Sequence, residues 1–192
     1  MNWLYLSSVN STNTYLKDNY QKLKHWTILR ADYQSKGRGR LNHVWQSHKK
    51  ENLLCSILLK DAKLFKEYSS LCLIVGVSIY KLLTKLGIEN VKIKLPNDIY
   101  VNHGKICGIL LESIFLDDKP QALVIGIGLN LNQKSFSQRL TATSYYQIKK
   151  RAIDIDKVLK ELVKILKIEL EKIKPNYYQR LLKQYHNTII TK

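Results

Sequence analysis

Apolar residues recur along the chain in two rhythms, and these divide it into candidate strands and helices. Trp3 to Leu6 predicts a short strand. A polar turn, Ser7 to Ser11, follows it, and Thr14 to Leu23 predicts a helix with Ser11 or Thr12 as N-cap. Trp26 to Tyr33 predicts a second strand. Gln34 to Trp45 is a polar, basic loop containing glycine. Asn52 to Leu59 is a continuous apolar run, suited to a strand covered on both faces.

In Glu67 to Leu86, Leu71, Ile74, Val75, Ser78, Ile79, Leu82 and Leu83 keep the i, i+3, i+4 spacing of a helix. Gly87 marks its end. Val91 to Lys94 predicts a strand broken by Pro96. Ile99 to Val101 and Ile106 to Ile114 predict a hairpin closed by Asn102-His103-Gly104. Ala122 to Leu131 predicts a strand holding two glycines. Asp156 to Ile173 predicts an amphipathic helix, and Tyr177 to Tyr185 a last helix beyond Pro175. Strands fill the middle and helices flank them. The predicted class is α+β, with a mixed, mainly antiparallel sheet in one domain over 1–192 and terminal helices at about 156–185.

Composition changes this picture little. Of 192 residues, 32 are Lys or Arg and 15 are Asp or Glu, a formal net charge of +17. Such a charge attracts acidic partners. Its even spread and its Lys-rich character give no nucleic-acid-binding motif. Cys55, Cys72 and Cys107 each sit in an apolar run and read as buried, reduced thiols rather than a zinc site or disulfide framework. The first residues lack the pattern of a signal peptide, and the apolar stretch Leu71 to Leu83 is too short to span a bilayer. The expectation is a soluble, cytoplasmic protein with no specific nucleic acid and no membrane among its partners.

Four segments could carry chemistry. Gln34-Ser35-Lys36-Gly37-Arg38-Gly39-Arg40, running on to Trp45, combines glycines that let backbone approach a ligand with forked cations suited to phosphate or carboxylate. A solvated basic loop is the plain alternative. Lys94-Leu95-Pro96-Asn97-Asp98 presents amide and carboxylate groups at a strand end, as an ordinary turn also does. Lys105 opens the apolar strand Ile106 to Ile114, either as a snorkelling surface residue or as a positioned cation. Gly126-Ile127-Gly128-Leu129-Asn130 places glycines inside a strand, a sign of close approach by a ligand or another backbone. Neither a GxGxxG loop nor a P-loop is present.

Taken in order, five pieces resemble biotin protein ligase. They are Ser11-Thr12-Asn13; Gln34 with Gly37-Arg38-Gly39-Arg40 and Trp45; Lys94-x-Pro96-Asn97-Asp98; Lys105-x-x-Gly108-Ile109-Leu110 with Glu112; and Gly126-x-Gly128-x-Asn130. The resemblance implies the class II synthetase-like catalytic fold shared by biotin and lipoate ligases. It implies ATP-dependent, AMP-forming attachment of biotin to a lysine of a biotin carboxyl carrier domain of a carboxylase, through biotinyl-5′-AMP. It also implies Mg²⁺ with the ATP phosphates, and leaves a homodimer open. By resemblance Lys105 and Arg40 are catalytic. Ser11, Thr12, Asn13, Gln34, Arg38, Gly39, Arg40 and Lys105 bind biotin. Gly37, Arg38, Arg40, Trp45, Asn97, Lys105 and Asn130 bind the nucleotide.

The sequence departs from the family at Leu41-Asn42-His43-Val44, where a glycine and a basic residue are common, and at Leu95, usually Trp. Neither an N-terminal DNA-binding module nor a C-terminal β-barrel is expected within this length. The alternative reading is a biotin- or biotinyl-adenylate-binding homologue with weak transfer. Lipoate-attaching relatives carry an Arg-Arg-x-Gly-Gly-Gly segment that is absent here.

Overall fold

The structure, a computed structural model, describes residues 1–65, 68–138 and 140–191. Its strands are β1 (Asn2–Leu6), β2 (Thr27–Ala31), β3 (Leu53–Leu59), β4 (Val91–Lys94), β5 (Asp98–Val101), β6 (Gly104–Leu116), β7 (Lys119–Leu129) and β8 (Ile189–Ile190). Its helices are α1 (Thr12–Asp18), α2 (Ala62–Phe65), α3 (Tyr68–Lys85), α4 (Tyr145–Lys149), α5 (Ile155–Glu171) and α6 (Tyr177–Gln184). The eight strands follow the order β1-β2-β3-β7-β6-β5-β4-β8. Pairing is antiparallel in β2·β3, β3·β7, β4·β5 and β5·β6, and parallel in β1·β2 and β4·β8. The sheet is therefore mixed and mainly antiparallel, flanked by helices, as the hydrophobic pattern predicts.

The chain gathers into two compact units, one of residues 1–68 and 109–129, the other of 69–108 and 130–192. In the first, α1 packs on the sheet through Leu16, which joins Leu29, Leu58, Ala122 and Val124 in a buried cluster rimmed by Leu4, Leu6, Tyr15 and Leu23. Every residue of β3 is buried, which is why its sequence is apolar throughout except for Ser56. Cys55 lies there as a free thiol, and burial pushes it up to about 12.

In the second unit, Gly76 lets α3 lie close on β4 and β5. A methyl group there would meet Ile93 Cγ2 at 3.2 Å and Ile99 Cδ1 at 3.6 Å. The buried Glu169 of α5 ties three helices together. It accepts from Lys81 Nζ of α3 at 2.7 Å, from Lys172 Nζ at 2.8 Å and from Tyr177 Oη of α6 at 2.7 Å. Tyr80 and Tyr185 pack edge to face at 5.5 Å.

Boundaries differ from the sequence reading where local polar groups intervene. Helix α1 starts at Thr12, because the Ser11 hydroxyl accepts from Thr14 N, and stops at Asp18, because Asn19 turns out of the helix. The loop between β5 and β6 is two residues long, with Asn102 at φ +53°. Strand β6 runs on to Leu116 and returns as β7 through Asp117 and Asp118, both at positive φ. That is a mirror-image two-residue turn built without glycine, so its signal was weak. Strand β7 ends at Leu129 rather than Leu131. Helix α3 runs to Lys85, with Gly87 at φ +76° just beyond it, while its expected first residue, Glu67, lies outside the described residues. Cys72 is half-buried, unlike the other two cysteines. The elements α2, α4 and β8 are too short to show a period in sequence.

Candidate functional site

The sequence-predicted residues fall into two clusters, one in each unit. In the first unit, the Ser11 cap turns Thr12 and Asn13 into the first turn of α1, where both are buried. Gln34 is brought up to them because the parallel pairing of β1 and β2 continues as a bridge between Val9 and Gln34. Its Oε1 accepts from Thr12 N at 2.7 Å and Thr12 Oγ1 at 2.9 Å. Ser56, in the middle of β3, sets its Oγ 2.6 Å from Thr12 Oγ1 and 2.5 Å from Asn13 Oδ1. Asn13 Nδ2 donates to Glu112 Oε2 at 2.8 Å and to the Leu110 carbonyl at 3.3 Å. Five side chains thus form one polar row, Gln34–Thr12–Ser56–Asn13–Glu112.

Glu112 is also the anchor for two cations. Lys17 Nζ lies 2.8 Å from Oε1, and Arg38 Nη2 lies 3.1 and 3.2 Å from the two carboxylate oxygens. Burial would raise this carboxyl. Hydrogen bonds from Lys17 and Asn13 and the charges of Lys17 and Arg38 override burial and hold it below the usual carboxylate range. Arg38 reaches Thr14 Oγ1 as well, at 3.2 Å.

The glycine–arginine loop closes on itself. Trp45 N donates to Gly37 O at 3.0 Å, Gly39 N to His43 O at 2.7 Å and His43 N to Arg40 O at 3.0 Å. Its tip is a 3₁₀ turn over Arg40–Asn42 with Leu41 at φ +52°. Gly37 is obligatory, because a Cβ there would lie 2.6 Å from Trp45 O. Arg40 and His43 are exposed at the tip.

The two glycines of β7 make room for side chains, where the sequence left a ligand or a backbone as the approaching group. A methyl at Gly126 would strike the Asn13 amide, and one at Gly128 would lie 2.5–2.8 Å from the Trp45 ring. The loop is therefore seated at its far end by Trp45 on Gly128.

In the second unit, Lys105 is the second residue of β6, and its Nζ lies 2.7 Å from Oδ1 of Asp98, the first residue of β5. Its backbone is braced by Lys105 N to Thr141 O and Thr143 N to Lys105 O, both 3.0 Å. Asn130 is buried just after β7, donating its Nδ2 to Thr143 O at 3.0 Å and its backbone N to Ile106 O at 2.9 Å. Its Oδ1 is buried with no hydrogen-bond partner among the described residues. Asn97 sits half-buried in the turn between β4 and β5.

Sequence reasoning missed Ser56, whose one signal is a hydroxyl in an apolar strand, and gave Glu112 and Asp98 no firm role. Among the described residues no group of three or more His, Cys, Asp or Glu could hold a metal ion, and no helix is long and apolar enough to cross a membrane.

Residues 5–130 match the biotin/lipoate A/B protein ligase family. The chain is 30% identical over 152 residues to the bifunctional ligase/repressor BirA of Escherichia coli, covering 79% of this chain and 47% of that one. It is 32% identical over 162 residues to BirA of Bacillus subtilis, covering 82% and 49%. The chain spans about half the length of the curated relatives it matches. Among solved structures it resembles the biotin protein ligase from Aquifex aeolicus in complex with biotin and ATP. There the TM-score is 0.87 at 31% identity, over 98% of this chain and 78% of that one.

Proposed function

Because the chain belongs to the biotin/lipoate A/B protein ligase family, we propose that it attaches biotin to a lysine of a carboxylase's biotin carboxyl carrier domain at the expense of ATP, in the cytoplasm. In the first step a carboxylate oxygen of biotin attacks the α-phosphorus of ATP. The new P–O bond displaces pyrophosphate and leaves biotinyl-5′-AMP. In the second, the neutral amine of the carrier lysine attacks the acyl carbon. A C–N bond forms, the acyl C–O bond to AMP breaks, and the amine loses a proton. Mg²⁺ would accompany the ATP phosphates.

The residues suit this chemistry. Two unit anions about 4 Å apart repel by about 4 kcal/mol at an effective dielectric of about 20, so the first step needs cations. Arg38, Arg40 and Lys105 are assigned that part, with Lys105 toward the biotin carboxylate and the phosphate. The row from Gln34 to Asn13 is assigned the polar ureido ring of biotin, under the cap set by Ser11. Gly37 and Gly39 let the loop backbone come close to the ligand. Trp45, Asn97 and Asn130 are assigned the nucleotide. Closure of the Gly37–Arg40 loop would keep water from the anhydride.

The observation that carries this reading is the row Gln34–Thr12–Ser56–Asn13–Glu112, buried at Thr12, Ser56 and Asn13 and joined to the glycine–arginine loop through Arg38. It lies in a chain whose backbone matches a ligase solved with biotin and ATP. The test is incubation of the purified chain with biotin, ATP and a carrier domain, followed by mass spectrometry. The expected result is biotin-dependent pyrophosphate release and one biotinyl group on one carrier lysine. No release and no transfer would reject it. Lipoate in place of biotin, transferred as well or better, would reject the choice of acid.

A further inference from the structure

The polar row has a direction, and one residue outside the predicted site sets it. Asn13 Nδ2 faces Glu112 Oε2 at 2.8 Å and the Leu110 carbonyl at 3.3 Å, and both of these groups only accept. Turning the amide over would press Oδ1 against a carboxylate. Glu112 is the stronger and charged partner, so it dictates that Oδ1 faces Ser56. At the other end, Gln34 Oε1 accepts the Thr12 backbone N–H and is fixed as an acceptor too.

Between these two acceptors lie three oxygen–oxygen contacts, of 2.9, 2.6 and 2.5 Å. Only two hydroxyl protons, those of Thr12 and Ser56, are available to fill them. The row is short of donors. A ligand with N–H groups suits it, and one presenting oxygen does not.

We propose that Glu112 is a positioning residue that holds the Gln34–Thr12–Ser56–Asn13 row in its acceptor polarity, matched to the N–H groups of a cyclic urea, and that it moors Arg38 of the loop with the same carboxylate. The proposal rests on the reading of biotin as substrate. Lys17 and Arg38 keep the carboxylate charged, which a neutral amide at the same place could not reproduce. A glutamine can offer either its oxygen or its nitrogen, so it leaves the Asn13 amide free to turn over.

The test is calorimetric titration of the intact chain with biotin and with the cyclic carbamate analogue, in which one ureido N–H is replaced by oxygen. Wild type should prefer biotin by at least about tenfold, the worth of one hydrogen bond left unmade. Glu112→Gln should weaken biotin by about tenfold and shrink the preference to about threefold or less, while Glu112→Asp restores the preference. In a Ser56→Ala background the same Glu112→Gln change should alter biotin affinity less than about twofold, because the link to be turned is already cut.

Equal weakening of both ligands by Glu112→Gln, with the preference intact, would show a merely structural role and overturn the proposal. So would additive effects of the two substitutions. If Glu112→Gln does not fold, Asn13→Ala carries the test, since it severs the same link, and an unchanged preference there overturns the proposal. Wild type that binds no biotin overturns the biotin reading itself. Wild type that binds and discriminates, with an indifferent Glu112→Gln, overturns only the role of Glu112.

Discussion

Lys105 of β6 reaches Asp98 of β5 diagonally, with Nζ 2.7 Å from Oδ1, although the strand register sets Lys105 opposite Tyr100 and Asp98 opposite Gly108. The pair is an ion pair rather than an aligned hydrogen bond, since that oxygen has no hydrogen bond of good geometry. The carboxylate holds the ammonium in place while leaving the side chain partly open to solvent.

Lys105→Ala should lower adenylate formation by about a hundred- to a thousandfold, the usual cost of losing one preorganised charge at a reacting centre. Folding should survive, because the backbone at Lys105 remains braced by Thr141 and Thr143. Asp98→Asn should cost less, about tenfold, as the lysine stays charged but loses its tether. Pyrophosphate exchange reads both. Near-normal exchange in Lys105→Ala removes it from the mechanism.

Arg40 lies at the exposed tip of the closed loop, one residue past Gly39. Arg40→Gly should loosen retention of the adenylate by about tenfold, the equivalent of one charge-assisted contact. The released intermediate would biotinylate bystander lysines on an added inert protein. Labelling confined to the carrier would show that the loop does not retain it.

Gly128→Ala forces a methyl group into the Trp45 ring, where the nearest ring carbon would be 2.5 Å away. The ring must leave its seat, at a cost of about 1–3 kcal/mol in stability. The expected outcome is a shift in tryptophan fluorescence with a several-fold rise in the KM for ATP and little change for biotin. An unchanged spectrum and an unchanged KM would mean that the Trp45 seat does not matter.

Glu169→Gln should destabilise the chain by about 2 kcal/mol near neutral pH, because a buried carboxylate loses charged partners on Lys81 and Lys172. Burial raises this carboxyl, but hydrogen bonds from Lys172, Lys81 and Tyr177 outweigh burial and hold it below its ordinary 4.5. The folded state therefore binds the proton less readily than the unfolded one. The stabilisation is complete above about 4.5 and lost as pH falls through the lower folded value. Melting curves should show the gap between wild type and variant narrowing below about pH 4.5. A gap constant down to pH 2 would contradict this.

Much of this was legible in the residues alone. The apolar runs gave β3 and β7, because burial on both faces leaves few polar positions, and the 3.6-residue spacing gave α3 and α5, because burying one face imposes a period. The Ser11 cap and the turn at Asn102 are local chemistry, settled within a few positions of the chain. The ordered motifs around Gln34, Arg38, Arg40, Lys105 and Asn130 were enough to choose a family.

Other features depended on partners distant in sequence. Ser56 meets Thr12 across 44 residues and Asn13 across 43, and Asn13 meets Glu112 across 99. No periodicity announces such contacts, since the strand order decides which side chains share a face. The same holds for the glycines of β7, whose neighbours proved to be the side chains of Asn13 and Trp45. Sequence order carried the local turns and periods, where the physics acts over a few residues. The direction of the hydrogen-bonded row and the holding of Lys105 by Asp98 came only from folding, which brings polar and charged groups from different elements within 3 Å of each other.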